Sequence, residues 1–391
     1  MIRRSAALLF ILLAAFILPG CWDRTEINDM AFILTSGIDL EDDGKYRISV
    51  MVPLPGQMGG ASGGGGGTSG DKSYYVDSEV GETYRECLNQ LQKRMSRRMF
   101  LAHRRTIIVG EALAKRGLQD LYDSTPRSPE NRMTTYLIVA KGKASDMLMS
   151  TPRFERFPSE AVRELVKARG VIDINFKDFG VALSLPGADP VAVYMAVKES
   201  EKSEKPSKEV EFKGYAQFRN DKMIGSLEND EAIGLSLLHG QKMIINMITV
   251  QAEDGSKMSV RIYSSSTNIR TTLIDQQVHF NINIQLTATM MEDKTKYDLS
   301  QTDNVLKVEA AISEYAKNTI QKTIDSSIQH NVDSTQLGST LWRAYPEQWA
   351  SQFEKNWPEG LKDAKLDIQV ESQLTDTGLI YDNITKEHAP K

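Results

Sequence analysis

Between Val278 and Met290 the chain alternates without exception. Val278, Phe280, Ile282, Ile284, Leu286, Ala288 and Met290 are apolar, and His279, Asn281, Asn283, Gln285, Thr287 and Thr289 separate them. A side-chain period of two belongs to a β-strand with one face packed and the other turned to water or to another chain. The period then changes: Val308, Ile312, Tyr315, Thr319, Ile320, Ile324 and Ile328 recur mostly at three and four. That predicts one face of a helix of roughly 28 residues, long enough to cross a whole sheet. A long helix laid on an antiparallel sheet is an α+β layer. Trp342, Trp349, Phe353 and Trp357 continue at helical spacings, and Leu366, Ile368 and Val370 predict a final strand.

Upstream, the pattern predicts strands over 31–40 and 46–52, joined as a hairpin by Asp42-Asp43-Gly44. Val80, Tyr84, Cys87, Leu88 and Leu91 repeat at helical spacing. Short buried strands at 106–109 and 135–139 flank a helix over 111–121. Helices at 144–149, 159–167 and 178–185 and a strand at 191–197 complete a first region. Strands over 210–218 and 223–227 form a second hairpin around Asn220-Asp221, followed by a helix over 230–238 that stops at Gly240. Strands at 243–250, 258–263 and 269–274 follow. The fold class is α+β: a multi-domain ectodomain with mixed and antiparallel sheets packed by helices, the long helix lying against an antiparallel sheet in the C-terminal part.

Two stretches break the patterning. Residues 59–70 are almost all glycine and serine, which cannot pack, and predict a mobile surface loop. Residues 201–209 are charged, nearly free of apolar side chains and contain Pro206, the composition of a linker. The expected organisation is a signal peptide over 1–20, an N-terminal α+β domain over 21–200, the linker, and a C-terminal α+β region over 210–391 that divides near 265 into a middle and a last domain.

The first 20 residues have the layout of a secretory signal: Arg3 and Arg4, an apolar run from Ala6 to Leu18, then Pro19-Gly20-Cys21. The run is too short to span a bilayer. A cysteine directly after a small residue is the acceptor pattern of a bacterial lipoprotein, in which the thiol is diacylglycerated and Cys21 becomes the mature N-terminus. Two or more acyl chains, palmitate among them, hold a protein stably at a bilayer without spanning it. Loss of Arg3 and Arg4 with the leader takes the formal net charge two units below the −5 of the whole chain. That sign suggests neither nucleic acid nor an anionic lipid surface as partner. With Cys21 acylated, the second cysteine, Cys87, has no partner in the chain, so packing rather than a disulfide must hold the fold.

Literal catalytic motifs fail on context. Gly60-Ala61-Ser62-Gly63-Gly64 spells a nucleophile elbow inside the glycine tract, with no strand and helix around it. The run ending in Asp71-Lys72-Ser73 has one residue too many for a phosphate loop. His103, His239, His279, His330 and His388 are scattered singly, without metal-ligand spacing. The basic cluster Lys93, Arg94, Arg97, Arg98, His103, Arg104 and Arg105 lacks an aromatic platform for nucleic acid and reads as a solvated face or a docking patch. The residues point to no enzyme, metal or cofactor, but to a tethered ectodomain that binds something.

The residues after Gly20 are more specific. Cys21-Trp22-Asp23-Arg24-Thr25-Glu26-Ile27-Asn28-Asp29-Met30-Ala31, continuing to Gly37-Ile38-Asp39, resemble the N-terminal signature of the C-subunit lipoproteins of bacterial spore germinant receptors, the Ger(x)C family. The likeness continues through Phe100 to Leu118, with His103, Ile107-Ile108-Val109-Gly110-Glu111 and Leu113-Ala114-Lys115. Gly214-Tyr215-Ala216-Gln217-Phe218, Asp221-Lys222, Ile224-Gly225, Leu227, Glu231 and Gly234-Leu235 extend it, and it runs on from Leu337-Gly338 through Tyr345-Pro346 to Trp349. It spans nearly the whole mature chain. Pro19, the glycine tract and Gln336-Leu337-Gly338, where an aromatic commonly precedes the glycine, depart from the family pattern.

The resemblance implies a non-enzymatic subunit of α+β fold in three domains, on the outer face of the spore inner membrane. It implies membrane-embedded A and permease-like B subunits as partners and small nutrients, amino acids or sugars, as the trigger, with direct contact between this subunit and the nutrient left open. Cys21 is the expected lipid site. Trp22, Asp23, Arg24, Glu26, Asn28 and Asp29 are expected to orient the ectodomain near the membrane or its partners, or to cap the first strand. A substrate-binding lipoprotein of a transport system is the alternative.

Overall fold

The computed structural model describes residues 26–54, 73–168, 170–202, 204–239 and 245–378. Its first part runs from a 3-10 turn (Ile27–Asp29) through β1 (Met30–Phe32), β2 (Thr35–Leu40), β3 (Tyr46–Pro53) and β4 (Tyr74–Gly81) to helix α1 (Tyr84–Arg94). Strands β5 (Arg98–Phe100) and β6 (Thr106–Gly110) lead to α2 (Glu111–Arg116), α3 (Gln119–Ser124) and β7 (Tyr136–Ala140). Helices α4 (Ala144–Leu148), α5 (Pro158–Val166) and α6 (Phe176–Ser184) precede β8 (Val191–Glu199), β9 (Lys208–Arg219), β10 (Lys222–Glu228) and α7 (Asp230–Leu238).

Eight of these strands form one sheet in the order β10-β9-β8-β7-β6-β2-β3-β4. The middle four are parallel and the outer ones antiparallel. The chemistry follows the position. β6 (Thr-Ile-Ile-Val-Gly) is buried throughout and β7 (Tyr-Leu-Ile-Val-Ala) nearly so, the continuous apolar run of a strand covered on both faces. Parallel neighbours need crossovers, and the helices after β6 and β7 supply them.

The second sheet contains β11 (Ile245–Gln251), β12 (Lys257–Ile274), β13 (Gln277–Asp293) and β14 (Lys365–Asp376), in that order. Helix α8 (Thr302–Gln329) packs on it with Val308, Ile312, Ala316, Ile320 and Ile324 fully buried. Helix α9 (Leu337–Ala344) follows. The core of the first sheet and that of the second meet at α7, whose Ala232 and Leu235 belong to one and Leu237 and Leu238 to the other.

The alternating strand and the 28-residue helix stand as expected. Other elements differ, each for a physical reason. The strand expected over 31–40 breaks after Phe32: β1 leaves the large sheet and pairs in parallel with β5, Met30 opposite Arg98. Ala31-Phe32-Ile33-Leu34 is uniformly apolar, so periodicity carries no sign of the break. Val80 lies in β4 rather than on the helix, because Thr83 caps α1 by accepting the Glu86 N–H at 3.1 Å. The helix over 111–121 divides at Gly117, whose φ of 132° is open to glycine.

The segment 201–209 is not a linker between domains. It holds the turn between β8 and β9, which pair from Val191–Gln217 to Glu199–Lys208, so the large sheet continues straight across the expected boundary. The strand ends next to the turn run out with exposed and half-buried side chains, which gives them the composition of a linker. The division near 265 falls in the middle of β12, a continuous strand of 18 residues. Bulges near Ser259/Val260 and Ile262/Ser264 interrupt its alternation and make it read as two strands. The second sheet is also not wholly antiparallel, since β14 joins β13 in parallel, Lys365 opposite His279.

Candidate functional site

Three places carry the residues singled out from the sequence. The first is the N-terminal entry. Cys21, Trp22, Asp23 and Arg24 lie outside the described residues. Glu26, Asn28 and Asp29 are exposed, as is Ile27 at 72%. Asp29 is spent locally: its carboxylate accepts the Glu26 N–H at 3.3 Å, and its own N–H donates to the Glu26 carbonyl at 3.0 Å. The turn feeds β1, beside which Phe32, Phe100 and His103 pack ring on ring at centroid separations of 5.3 to 5.7 Å. His103 is therefore part of an aromatic clasp joining β1 to the chain after β5.

The basic cluster divides among separate structural tasks. Arg94 pairs with Asp77 and Glu79 on β4, Arg98 with Glu130, and Arg105 with Glu160. Arg104 is buried and donates to the Tyr84 hydroxyl at 2.8 Å. Only Lys93 and Arg97 remain as exposed cations without a side-chain partner among the described residues. Cys87 is fully buried, and burial pushes its thiol up to about 11, the state of an unreactive core thiol. The glycine tract and His388 lie outside the described residues. Among the described residues no cluster of three or more His, Cys, Asp or Glu could hold a metal, and no helix is long and apolar enough to cross a membrane.

The second place is the outward face of β13, where His279, Asn281, Asn283, Gln285 and Thr287 stand half-buried or exposed, while Thr289 is buried. The third is one that sequence reasoning missed: a buried polar joint between the two sheets. Asp333, fully buried between α8 and α9, accepts from the N–H groups of Leu337 (3.1 Å) and Gly338 (2.6 Å), from the Thr335 hydroxyl (2.8 Å) and from Trp357 Nε1 (3.0 Å). Its own N–H donates to Asp189 at 2.8 Å, and Asp189 is paired with Arg219 of β9, which also donates to the Trp357 carbonyl. Beside it, Gln217 of β9 donates to Ser334 and pairs with His330 Nδ1 at 2.9 Å.

Burial pushes the Asp333 carboxyl up to about 6, against the pull of its donors, with the Asp189 charge adding to the rise. Gly338 permits this packing: a Cβ there would overlap the Trp357 indole. The sequence hints are Leu337-Gly338 and Gln217, seen only as parts of a resemblance, and Trp357, seen only as a helical spacing, each without its partner. Asp333 looks like any aspartate in a turn.

Comparison with known proteins fits this architecture. Residues 23–197 match the family described as spore germination protein N-terminal domain, and residues 213–378 match that described as spore germination B3/GerAC like, C-terminal. The gap between the matches falls on the β8–β9 hairpin, so most of β9 and all of β10 and α7 lie in the C-terminal match, although β9 and β10 complete the first sheet. The YfkR protein of Bacillus subtilis (strain 168) is 29% identical over 374 residues, covering 96% of this chain and 97% of its own. Spore germination protein KC of the same organism is 26% identical over 399 residues, covering 97% of each. The crystal structure of the GerBC protein superposes with a TM-score of 0.56 at 15% identity, over 87% of this chain and 96% of that one.

Proposed function

The chain belongs to the Ger(x)C family of spore germination proteins, and from that membership we propose that it is the lipid-anchored C-type subunit of a nutrient germinant receptor. In this reading it works with an A-type membrane subunit and a permease-like B subunit on the outer face of the spore inner membrane, and performs no catalysis. The observation that carries the reading is continuity. Both family regions occur in order within one fold, and the first begins at residue 23, two residues after the acceptor cysteine.

The anchor and the fold are close in chain terms. Four residues lie between Cys21 and Glu26, five residue steps with a reach of at most about 18 Å. Acylation at Cys21 therefore holds the 3-10 turn and β1 next to the bilayer, where membrane subunits lie. Trp22, Asp23, Arg24, Glu26, Asn28 and Asp29 are the positions proposed to meet a partner. A transporter-type binding protein asks for two lobes hinged around a deep cleft. In this chain the two family regions instead share the first sheet through the β8–β9 pairing, and a buried carboxylate joint ties that sheet to the second.

The reading is tested by Cys21→Ala and by Asp23→Asn with Glu26→Gln, scored for membrane fractionation and nutrient germination. Cys21→Ala is expected to leave the membrane fraction and lose germination. The double variant is expected to stay anchored and lose function. Full germination with a chain that no longer sediments with membranes would contradict the anchored-subunit reading.

A further inference from the structure

Where α6, α7, β12 and α9 come together, a cleft of about 220 Å³ opens at the seam between the two sheets. Its floor is apolar and drawn from both sides: Ile174, Phe179 and Val191 from the first core, Leu235 and Leu238 from α7, and Ile269 from β12. Its rim is polar, and most of that polarity is already spent. Thr335 donates to Asp333, Ser339 to the Gln336 carbonyl at 2.8 Å, and Thr340 to the Leu337 carbonyl at 2.7 Å.

Three lining side chains can carry charge: Asp178, His239 and Arg343. Asp178 closes a capping box with Asn175 and lies 3.6 Å from Lys177. Burial pulls the His239 pKa down, against the nearby carboxylates of Asp173 and Asp178, which favours the neutral ring at neutral pH. Arg343 is the charged group of the lining that has no side-chain hydrogen bond or ion pair among the described residues. A guanidinium offers a planar fork of donors matched to a carboxylate.

We propose that this cleft binds a small carboxylate with an apolar body. The carboxylate sits on Arg343 and the body lies among Phe179, Val191, Leu235 and Ile269, bridging the two sheets. About 220 Å³ is room for roughly seven groups the size of a water molecule, which suits a branched acid of six carbons rather than a peptide. Sites at the seam between packed units, apolar with a few convergent polar groups, are the usual setting for small ligands. A ligand held there binds only the assembled seam, so it stabilises the joint by mass action. The inference goes beyond the receptor reading and stands without it, because it is measured on this chain alone.

The test is saturation-transfer NMR on the full chain with three probes that share a branched apolar body: 4-methylpentanoate, leucine and 3-methylbutylamine. The two carboxylates share the acid and the branched body, leucine adds the ammonium group, and the amine lacks the acid. Binding of either carboxylate at about millimolar strength or tighter, weakened about tenfold or more in Arg343→Gln and partly kept in Arg343→Lys, supports the site. Preference between the two tells whether Asp178 tolerates or recruits an ammonium group, and each preference supports a carboxylate site. Arg343 is exposed on α9, so an unchanged melting midpoint of ligand-free Arg343→Gln confirms that the fold is intact. The proposal is overturned if the amine binds as well as the acids, if Arg343→Gln binds unchanged, or if neither carboxylate binds. None of these results touches membrane anchoring or germination.

Discussion

Asp39 and Asp333 show how single carboxylates organise this chain. Asp39 is buried on β2 and accepts the Ala144 and Ser145 N–H groups at 2.6 and 2.9 Å, capping α4 across 105 residues of sequence. Gly110 leaves it room, since a Cβ there would overlap the Asp39 carboxylate. Asp39→Ala strands two amide donors and is expected to cost about 1–3 kcal/mol in urea unfolding. Gly110→Ala should be destabilising in the wild type and much less so beside Asp39→Ala; additive costs would count against the contact. For Asp333 the sign follows from burial. Its pKa, about 6, lies above the ordinary 3.8, so the native state holds the proton more tightly. The stability it contributes is fully present below about pH 4 and lost as pH rises through about 6. Asp333→Asn, less stable at neutral pH through its misfitted donors, should lack that component of the pH slope. Identical slopes in both proteins would contradict the assignment. Gly37-Ile38-Asp39 and Gly110-Glu111 were legible only as a resemblance, because a carboxylate's partner 105 residues away leaves no local pattern.

At the scale of elements, long periodic segments were the most legible. Strict alternation gave β13 and the three-four spacing gave α8, because one face of each is buried over many residues. Truncating the α8 face, as in Ile320→Ala, is expected to cost about 2–5 kcal/mol by leaving a cavity. Elements set by long-range pairing were less legible. β12 reads as two strands because of its bulges, β4 follows a glycine tract with little apolar signal, and nothing local makes β14 parallel to β13. The β8–β9 turn was misread for the opposite reason, its composition being that of a linker while its backbone is laddered. Replacing residues 201–206 by Asn-Gly should therefore leave the melting midpoint within a few degrees, since loop length contributes weakly to stability. A large loss would mean that the charged turn itself holds structure.

Across the whole molecule, the Asp189–Asp333–Arg219 joint ties the two sheets into one body, while the β8–β9 hairpin joins the two family regions within the first sheet. Nicking the chain within 201–206 should yield two fragments that co-elute under native conditions. Fragments that separate would show that the β8–β9 ladder does not hold the first sheet together. In the receptor reading proposed above, a tether at Cys21 would place β1 and the 3-10 turn of this body against the membrane. The proposed anchor and partners rest on the signature around Cys21 and on family membership, whereas the joint that unites the body was invisible before the fold was in hand. The most direct test of the central claim is affinity purification of the lipidated chain from spore membranes, with identification of what accompanies it. The receptor account predicts two membrane proteins in comparable amounts, one of them permease-like, and their loss with Cys21→Ala. Recovery of the chain alone from membranes that contain both would contradict it.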